Sequence, residues 1–329
     1  MIKLRFLYLL LIPVIMFVAG CSKDEDPVTP PVTPTPEAQL LAEYLEGAGG
    51  DFINTTSCPA MISASALNTD IQGGVDLAII DVRSATDYAA GHIAGAVNVT
   101  IANILNYYRT NNLQTKAKVV VTCYTGQSAA FAVAVLRLAG YTNVFDLKWG
   151  MCSWSDGARW HNTMINGQTN PITKQMTANV KANAGDLPTL STGKTAGAEI
   201  LATRLDTVLA QGYGVASISR DVMYQNLSNY YIVNYWPVAD YDLGHVEGAI
   251  QYTPRTDLKL AAFLKTLPTN KTIVVYCYTG QTSAHIAVFL RALGYDAKSL
   301  SFGANNLFYD TMPGTKWVDT ECMNYPVVQ

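Results

Sequence analysis

The stretch Val119-Val-Val-Thr-Cys-Tyr-Thr-Gly-Gln-Ser128 decides how this chain is read, because it recurs as Ile273-Val-Val-Tyr-Cys-Tyr-Thr-Gly-Gln-Thr282. In each copy a short, largely β-branched apolar run of the kind buried in a parallel sheet ends at a cysteine. A polar turn with one glycine follows. Ser128 to Ala139 then has helical length and is rich in Ala, Leu and Val, with Gly140 placed as its C′ residue. Leu77 to Val82 reads as a second buried strand. Strand–helix alternation of this kind predicts a doubly wound α/β domain around a central parallel sheet.

Working outward, the repetition extends well beyond the loop. Ile80-Asp-Val-Arg-Ser-Ala-Thr-Asp-Tyr-Ala-Ala-Gly-His-Ile-Ala-Gly-Ala96 returns as Val233-Asn-Tyr-Trp-Pro-Val-Ala-Asp-Tyr-Asp-Leu-Gly-His-Val-Glu-Gly-Ala249. Leu136-Arg-Leu-Ala-Gly-Tyr141 returns as Leu290-Arg-Ala-Leu-Gly-Tyr295, and Gly157-Ala-Arg-Trp160 as Gly314-Thr-Lys-Trp317. The offset stays between 153 and 157 residues, which marks a tandem domain duplication. The organisation expected is a leader at 1–20, a tether at 21–36, a first domain at 37–165, a connection at 166–197 and a second domain at 198–329. The connection is drawn where Thr, Asn, Gly and Lys dominate without a period.

The turn after each cysteine is suited to activating a thiol. Its backbone N–H groups point inward and the following helix adds the positive end of its dipole. Both stabilise a thiolate at Cys123 and Cys277, and both cradle an anion above the sulfur. Gly126 and Gly280 let the backbone turn closely. The alternative for such a residue is a buried structural cysteine, and the repeated pentad argues for a working site. A cysteine phosphatase would need Cys-x5-Arg to clamp phosphate. The sixth residues after the cysteines are Ala129 and Ser283, and neither loop contains arginine.

The Asp-Val-Arg…Asp-Tyr…Gly-His-Ile-x-Gly-Ala run, the strand-end cysteine loop and the Leu-Arg-x-x-Gly-Tyr helix end together resemble the rhodanese family. The likeness covers about Ile62–Trp160 and Ile218–Trp317. It implies two tandem rhodanese domains and an active-site cysteine that cycles through a persulfide, a role that falls on Cys123 and Cys277. Tyr124, Thr125, Gly126, Gln127 and Ser128 would form one substrate-binding loop, and Tyr278, Thr279, Gly280, Gln281 and Thr282 the other. The implied function is a sulfurtransferase moving sulfane sulfur from thiosulfate or a persulfide or polysulfide to a thiol or cyanide. The alternative is a non-catalytic binding or redox-sensing module on the same scaffold. Neither reading calls for a cofactor or a metal. The loops offer a donor only the neutral groups of Thr125, Gln127 and Ser128.

The copies differ. Asp81-Val82-Arg83 becomes Asn234-Tyr235-Trp236, so an Arg83–Asp87 ion pair is expected in the first domain alone, with Asp81 in a supporting role. Both cysteines are expected to be competent, the first domain being the more robust. His92 and His245 sit in Gly-His turns that the family uses structurally. Trp149, Trp154, Trp160 and Trp317 read as packing residues. Cys58, Cys152 and Cys322 remain, and export would suit one disulfide among them plus a free thiol, the pairing left open. Cys152 alternatively resolves a persulfide or sulfenate on Cys123.

Composition narrows the partners. A net charge of −3 gives no electrostatic drive toward nucleic acid, and only 14% of the 329 residues are charged. Lys3 and Arg5 precede an apolar run ending in Val18-Ala19-Gly20-Cys21, which resembles a bacterial lipobox. The alternative is an ordinary secretory leader. Five prolines between Pro27 and Pro36 suit an extended spacer of roughly 30 Å. The acidic run after Cys21 resembles the surface-export signal of Bacteroidetes lipoproteins, or is a solvated start to the spacer. These features place the protein in a bacterial cell envelope, lipid-anchored through Cys21, periplasmic or exposed on the outer membrane. Replacing Cys21 by Ser should release it from membranes or block its processing, as read by fractionation and intact mass. Complete membrane retention of a processed variant would contradict the anchor.

Overall fold

The computed structural model describes residues 35–329; Cys21, the leader at 1–20 and the tether as far as residue 34 lie outside the described residues. The first half contains β1 (Met61–Ile62), β2 (Leu77–Asp81), β3 (Ala96–Asn98), β4 (Lys118–Thr122) and β5 (Val144–Leu147), in the order β1-β5-β4-β2-β3. The second contains β6 (Ser217–Ile218), β7 (Tyr230–Asn234), β8 (Ile250–Gln251), β9 (Thr272–Tyr276) and β10 (Ala297–Leu300), in the order β6-β10-β9-β7-β8. Every pairing is parallel. The expected fold, two tandem α/β domains with central parallel sheets, is the one observed.

Helices α1 (Glu37–Glu46), α2 (Ala64–Gln72), α3 (Ala85–Ala90), α4 (Ile104–Thr110), α5 (Gln127–Leu138), α6 (Met151–Trp154) and α7 (Ala158–Thr169) belong to the first half. Helices α8 (Gly197–Val215), α9 (Arg220–Gln225), α10 (Val238–Tyr241) and α11 (Gln281–Ala292) belong to the second. From Thr169 to Gly197 the chain runs without a helix, touching the second sheet's rim through an isolated bridge between Gln175 and His245. No helix among the described residues is long and apolar enough to cross a membrane.

The central strands explain the position of the cysteines. β4 and β9 are the middle strands and are buried from their second residues onward, as their Val-rich runs require. The chain leaves β4 toward β5 on one side, while β2 continues to β3 on the other. The crevice between the ends of β4 and β2 is therefore where an open α/β sheet offers a ligand site. Cys123 and Arg83 lie at those two ends.

The two halves are joined through their most apolar helices. Helix α5 is buried along nearly its whole length, so it needs cover on both faces; its own sheet supplies one and α11 the other. The chain's C-terminal tail then returns to the first half, where Met323 and Tyr325 donate their amides to the Ser153 and Trp154 carbonyls at 2.9 and 2.7 Å. Trp149, Trp160 and Trp317 form a small apolar cluster with Cys152 between the halves, which bears out their reading as packing residues.

A polar cluster is sealed in the same interface. The Gln281 amide donates to one oxygen of fully buried Asp146. The other Asp146 oxygen lies 3.8 Å from Nε2 of buried His285, whose Nδ1 is 3.0 Å from the Gln281 carbonyl. Burial pushes the Asp146 carboxyl well above its ordinary range and holds His285 down to about 4, so burial favours the neutral form of both. Because Asp146 binds its proton more tightly when folded, its contribution to stability is lost as pH rises past the unfolded value of about 4. An Asp146→Asn variant carries no such loss and still presents an acceptor to Gln281 and a donor to His285. Its stability advantage should grow as pH rises above about 4, by up to about 1.4 kcal/mol per pH unit, for as long as Asp146 keeps its proton in the fold; His285 is common to both proteins and cancels from the difference. Denaturant unfolding at several pH values measures it; a pH-independent difference would show that Asp146 is ionised in the fold.

Candidate active site around Cys123

Cys123 directly follows β4 with 3% of its surface exposed, and its sulfur accepts the Ala129 amide at 3.4 Å. The turn reaches α5 through Gly126 in the left-handed region (φ 84°). A Cβ there would lie 2.3 Å from the Gln281 amide nitrogen of the other half, so both conformation and space demand glycine. The expected loop residues Tyr124, Thr125, Gly126, Gln127 and Ser128 are thus brought together around the sulfur. Burial nevertheless raises the Cys123 thiol above its ordinary value. Hydrogen bonds from the Ser128 hydroxyl and the Ala129, Thr125 and Gly126 amides act in the opposite direction without overcoming it. The expected amide cradle is present; the expected net lowering is not, because the sulfur sits too far from solvent.

A cavity of about 270 Å³ opens onto this sulfur. Its wall includes Arg83 from the end of β2 and Arg159 from the first turn of α7. Arg83 does not pair with Asp87 as its spacing suggested. It lies along Asp81 instead, with Nη2 2.6 Å from one carboxylate oxygen and Nε 3.0 Å from both, and it donates to the Gly91 carbonyl at 2.7 Å. Asp81 also accepts the Arg83 amide at 2.9 Å, so the carboxylate orients the arginine, the supporting role assigned to it. Asp87 takes hydrogen bonds from the Ser84 and Tyr124 hydroxyls, which hold its carboxyl below the usual range. The Arg159 guanidinium rests on the Tyr124 ring, 3.6 Å from the centroid.

Neutral loop donors were all that the pentad offered, and Arg159 was missed. Its signal was present in the Gly-Ala-Arg-Trp and Gly-Thr-Lys-Trp pair, which places a base at the same point of both copies. Also missed were Tyr213, Ser301 and Phe302, which reach the cavity from the second half. No local motif announces a residue that must cross between domains.

The second loop has the same backbone and different surroundings. Gly280 is left-handed (φ 82°), and Cys277 sulfur accepts the Gly280 and Ser283 amides at 3.2 and 3.3 Å. Thr279 accepts the Gln281 amide at 3.2 Å, and Thr282 follows in the first turn of α11. The position of Arg83, however, is taken by Trp236, fully buried and stacked on Tyr278 at 5.0 Å between centroids. Lys316, the counterpart of Arg159, points away to the Asp310 carbonyl at 3.1 Å. Among the described residues the cation pair of the first site has no equivalent around Cys277.

Other expected residues take structural places. His92 stacks on Tyr88 and His245 on Tyr241, with ring centroids 3.8 and 3.6 Å apart, and each Nδ1 faces the carbonyl of its partner. Cys58, Cys123, Cys152, Cys277 and Cys322 are free thiols, so the disulfide suited to an exported protein is not formed. Cys58 packs in the main core, whereas Cys152 and Cys322 share the tryptophan cluster. Burial raises the Cys152 thiol to about 12, which disfavours it as a resolving thiolate.

A family model described as a rhodanese-like domain matches residues 63–156 and 221–307, together more than half of the chain. Thiosulfate sulfurtransferase GlpE of Pseudomonas fluorescens (strain SBW25) is 40% identical over 83 residues, 25% of this chain and 72% of that protein. Putative sulfur carrier protein YrkF of Bacillus subtilis (strain 168) is 24% identical over 119 residues, 36% of this chain and 63% of that protein. Among solved structures, a thiosulfate sulfurtransferase from Pseudomonas aeruginosa is 18% identical and covers 80% of this chain and 45% of that one, with a TM-score of 0.29. The two matched segments contain four of the five strands of each parallel sheet and both cysteine loops, and the chain belongs to the rhodanese-like domain family, whose domain it carries twice in tandem.

Proposed function

We propose that the protein is a sulfurtransferase that works through Cys123, with thiosulfate as a competent donor. The Cys123 thiolate attacks the outer sulfur of thiosulfate; a new S–S bond forms, the donor's S–S bond breaks, and its electron pair leaves on sulfite. The resulting persulfide gives up its outer sulfur to a thiol or cyanide, and the bonding pair returns to Cys123 as thiolate. Bonds and charge balance without a cofactor.

The observation that carries this reading is the cavity over Cys123 with Arg83 and Arg159 in its wall. Two guanidiniums supply the positive charge that a dianionic donor needs and that the loop itself lacks. Their place outside the loop also distinguishes the site from a phosphatase, where the arginine belongs to the turn. The similarity to named thiosulfate sulfurtransferases supports the same chemistry. For the second half the packed Trp236 favours a non-catalytic role, that of a domain that completes the first site. Export and lipid anchoring at Cys21 are part of the proposal and rest on the sequence of residues 1–36.

Thiosulfate:cyanide transfer tests it. Cys123→Ser should abolish turnover, and Cys277→Ser should keep at least about half. Arg159→Ala should raise the KM for thiosulfate by roughly 10-fold, as expected for loss of one charge-assisted contact. Since burial raises the Cys123 thiol, the thiolate fraction should still be climbing at pH 9, and kcat/KM should rise with it rather than level off near pH 8. Turnover that survives Cys123→Ser and vanishes in Cys277→Ser would reverse the assignment.

A further inference from the structure

The run from Gly197 to Val215 is helical except at Gly212, whose φ of 71° and ψ of 171° break it one residue before Tyr213. Up to the break the helix is pinned to the second half: Arg291 donates two hydrogen bonds to Gln211 at 2.6 and 3.0 Å. Beyond it the chain swings Tyr213 out of register and into the wall of the Cys123 cavity, with its ring edge-on to Phe131 of α5 at 6.0 Å. Among the described residues the buried Tyr213 hydroxyl has no hydrogen-bond partner, although the Ser217 and Ser301 hydroxyls are its neighbours. A buried hydroxyl without a partner is costly, and a phenylalanine would give the same packing on Phe131 without that cost.

The pseudo-symmetric position is built differently. His285 of α11 corresponds to Phe131 of α5, and it is packed by Phe52, at 5.9 Å between ring centroids. The aromatic ring packed on His285 therefore has no hydroxyl, and the one packed on Phe131 does. The hydroxyl accompanies the cavity that also holds the two arginines.

We infer that Tyr213, delivered by the second half, is a substrate-contacting residue of the first site, its hydroxyl donating to an oxygen of an oxyanionic sulfur donor bound over Cys123. The inference rests on the sulfurtransferase reading and adds a specificity: the site takes donors with a sulfonate-like head, held between Arg159, Arg83 and Tyr213. Burial pushes the phenol up, so it stays protonated and remains a donor throughout the working pH range. The second domain then has a chemical task, since without it the site lacks one of its three anion contacts.

The test compares two donors in the full chain carrying Tyr213→Phe, which keeps the ring and removes only the hydroxyl. With thiosulfate, kcat/KM should fall roughly 10- to 100-fold, the range for a hydrogen bond to a charged group. With an uncharged dialkyl trisulfide, which has sulfane sulfur but no oxyanion, it should stay within about 2-fold of wild type. Equal losses with both donors, or no loss with either, would overturn the inference. A second measurement separates its failure from that of the underlying reaction. Thiosulfate binding is titrated calorimetrically to Cys123→Ser with Tyr213 intact or replaced by Phe. Weaker binding to the double variant by roughly 10-fold or more supports the contact even if turnover is absent in the wild type, which would sink only the sulfurtransferase reading. Equal binding by the two variants overturns the contact.

Discussion

Gln127 and Gln281 each leave their own loop and take the backbone of the other half. The Gln127 carbonyl oxygen accepts the Phe302 amide at 2.7 Å, and the Gln281 oxygen accepts the Trp149 amide at 3.0 Å. Phe302 and Trp149 are bulky residues in the left-handed region (φ 63° and 67°), a conformation that persists only where its surroundings hold it. Each also follows the last strand of its sheet by two residues, at the rim beside the cysteine loop. The exchange therefore fixes the two loops against each other and against the sheets at once. Gly126 and Gly280 are required because these glutamine side chains occupy the space that a Cβ would need. Buried side-chain amides with a single geometry also set register, in the way that isolated polar residues specify one arrangement of packed helices.

From this constraint comes the inequality of the two sites. A duplicated domain starts with two identical loops, and the back-to-back packing keeps both backbones intact because each serves the other. What has diverged is the rim. Asp81 with Arg83 became Asn234 with Trp236, and the Trp236 ring packs where the Arg83 guanidinium presents charge. The second loop can thus retain its cysteine and its turn geometry as a scaffold for the first. The cost of deep placement falls on Cys123, whose thiol is harder to ionise; the neighbouring guanidiniums favour an anionic donor in the cavity.

Most of the fold was legible in the sequence because parallel strands buried on both faces leave continuous apolar runs, and Val119–Thr122 and Ile273–Tyr276 are such runs. The repeat converted one reading into two. The cysteine loop was legible for a related reason: its geometry depends on local backbone, which the pentad specifies. Residues that act through tertiary placement were not. Arg159 lies 36 residues beyond Cys123 and approaches it only because α7 folds back over Tyr124. Asp87 was paired with Arg83 on spacing, yet Asp81 is nearer in the fold and takes the guanidinium. Tyr213 depends on a break at Gly212 inside a run whose composition reads as helix.

The proposed chemistry puts the transferred sulfur on one cysteine, Cys123. Its most direct test is mass spectrometry of peptides from the wild-type protein after brief exposure to thiosulfate, with thiols alkylated before digestion. The account predicts one added sulfur on the peptide containing Cys123 and none on the peptide containing Cys277. Added sulfur on Cys277 with Cys123 unchanged would contradict it.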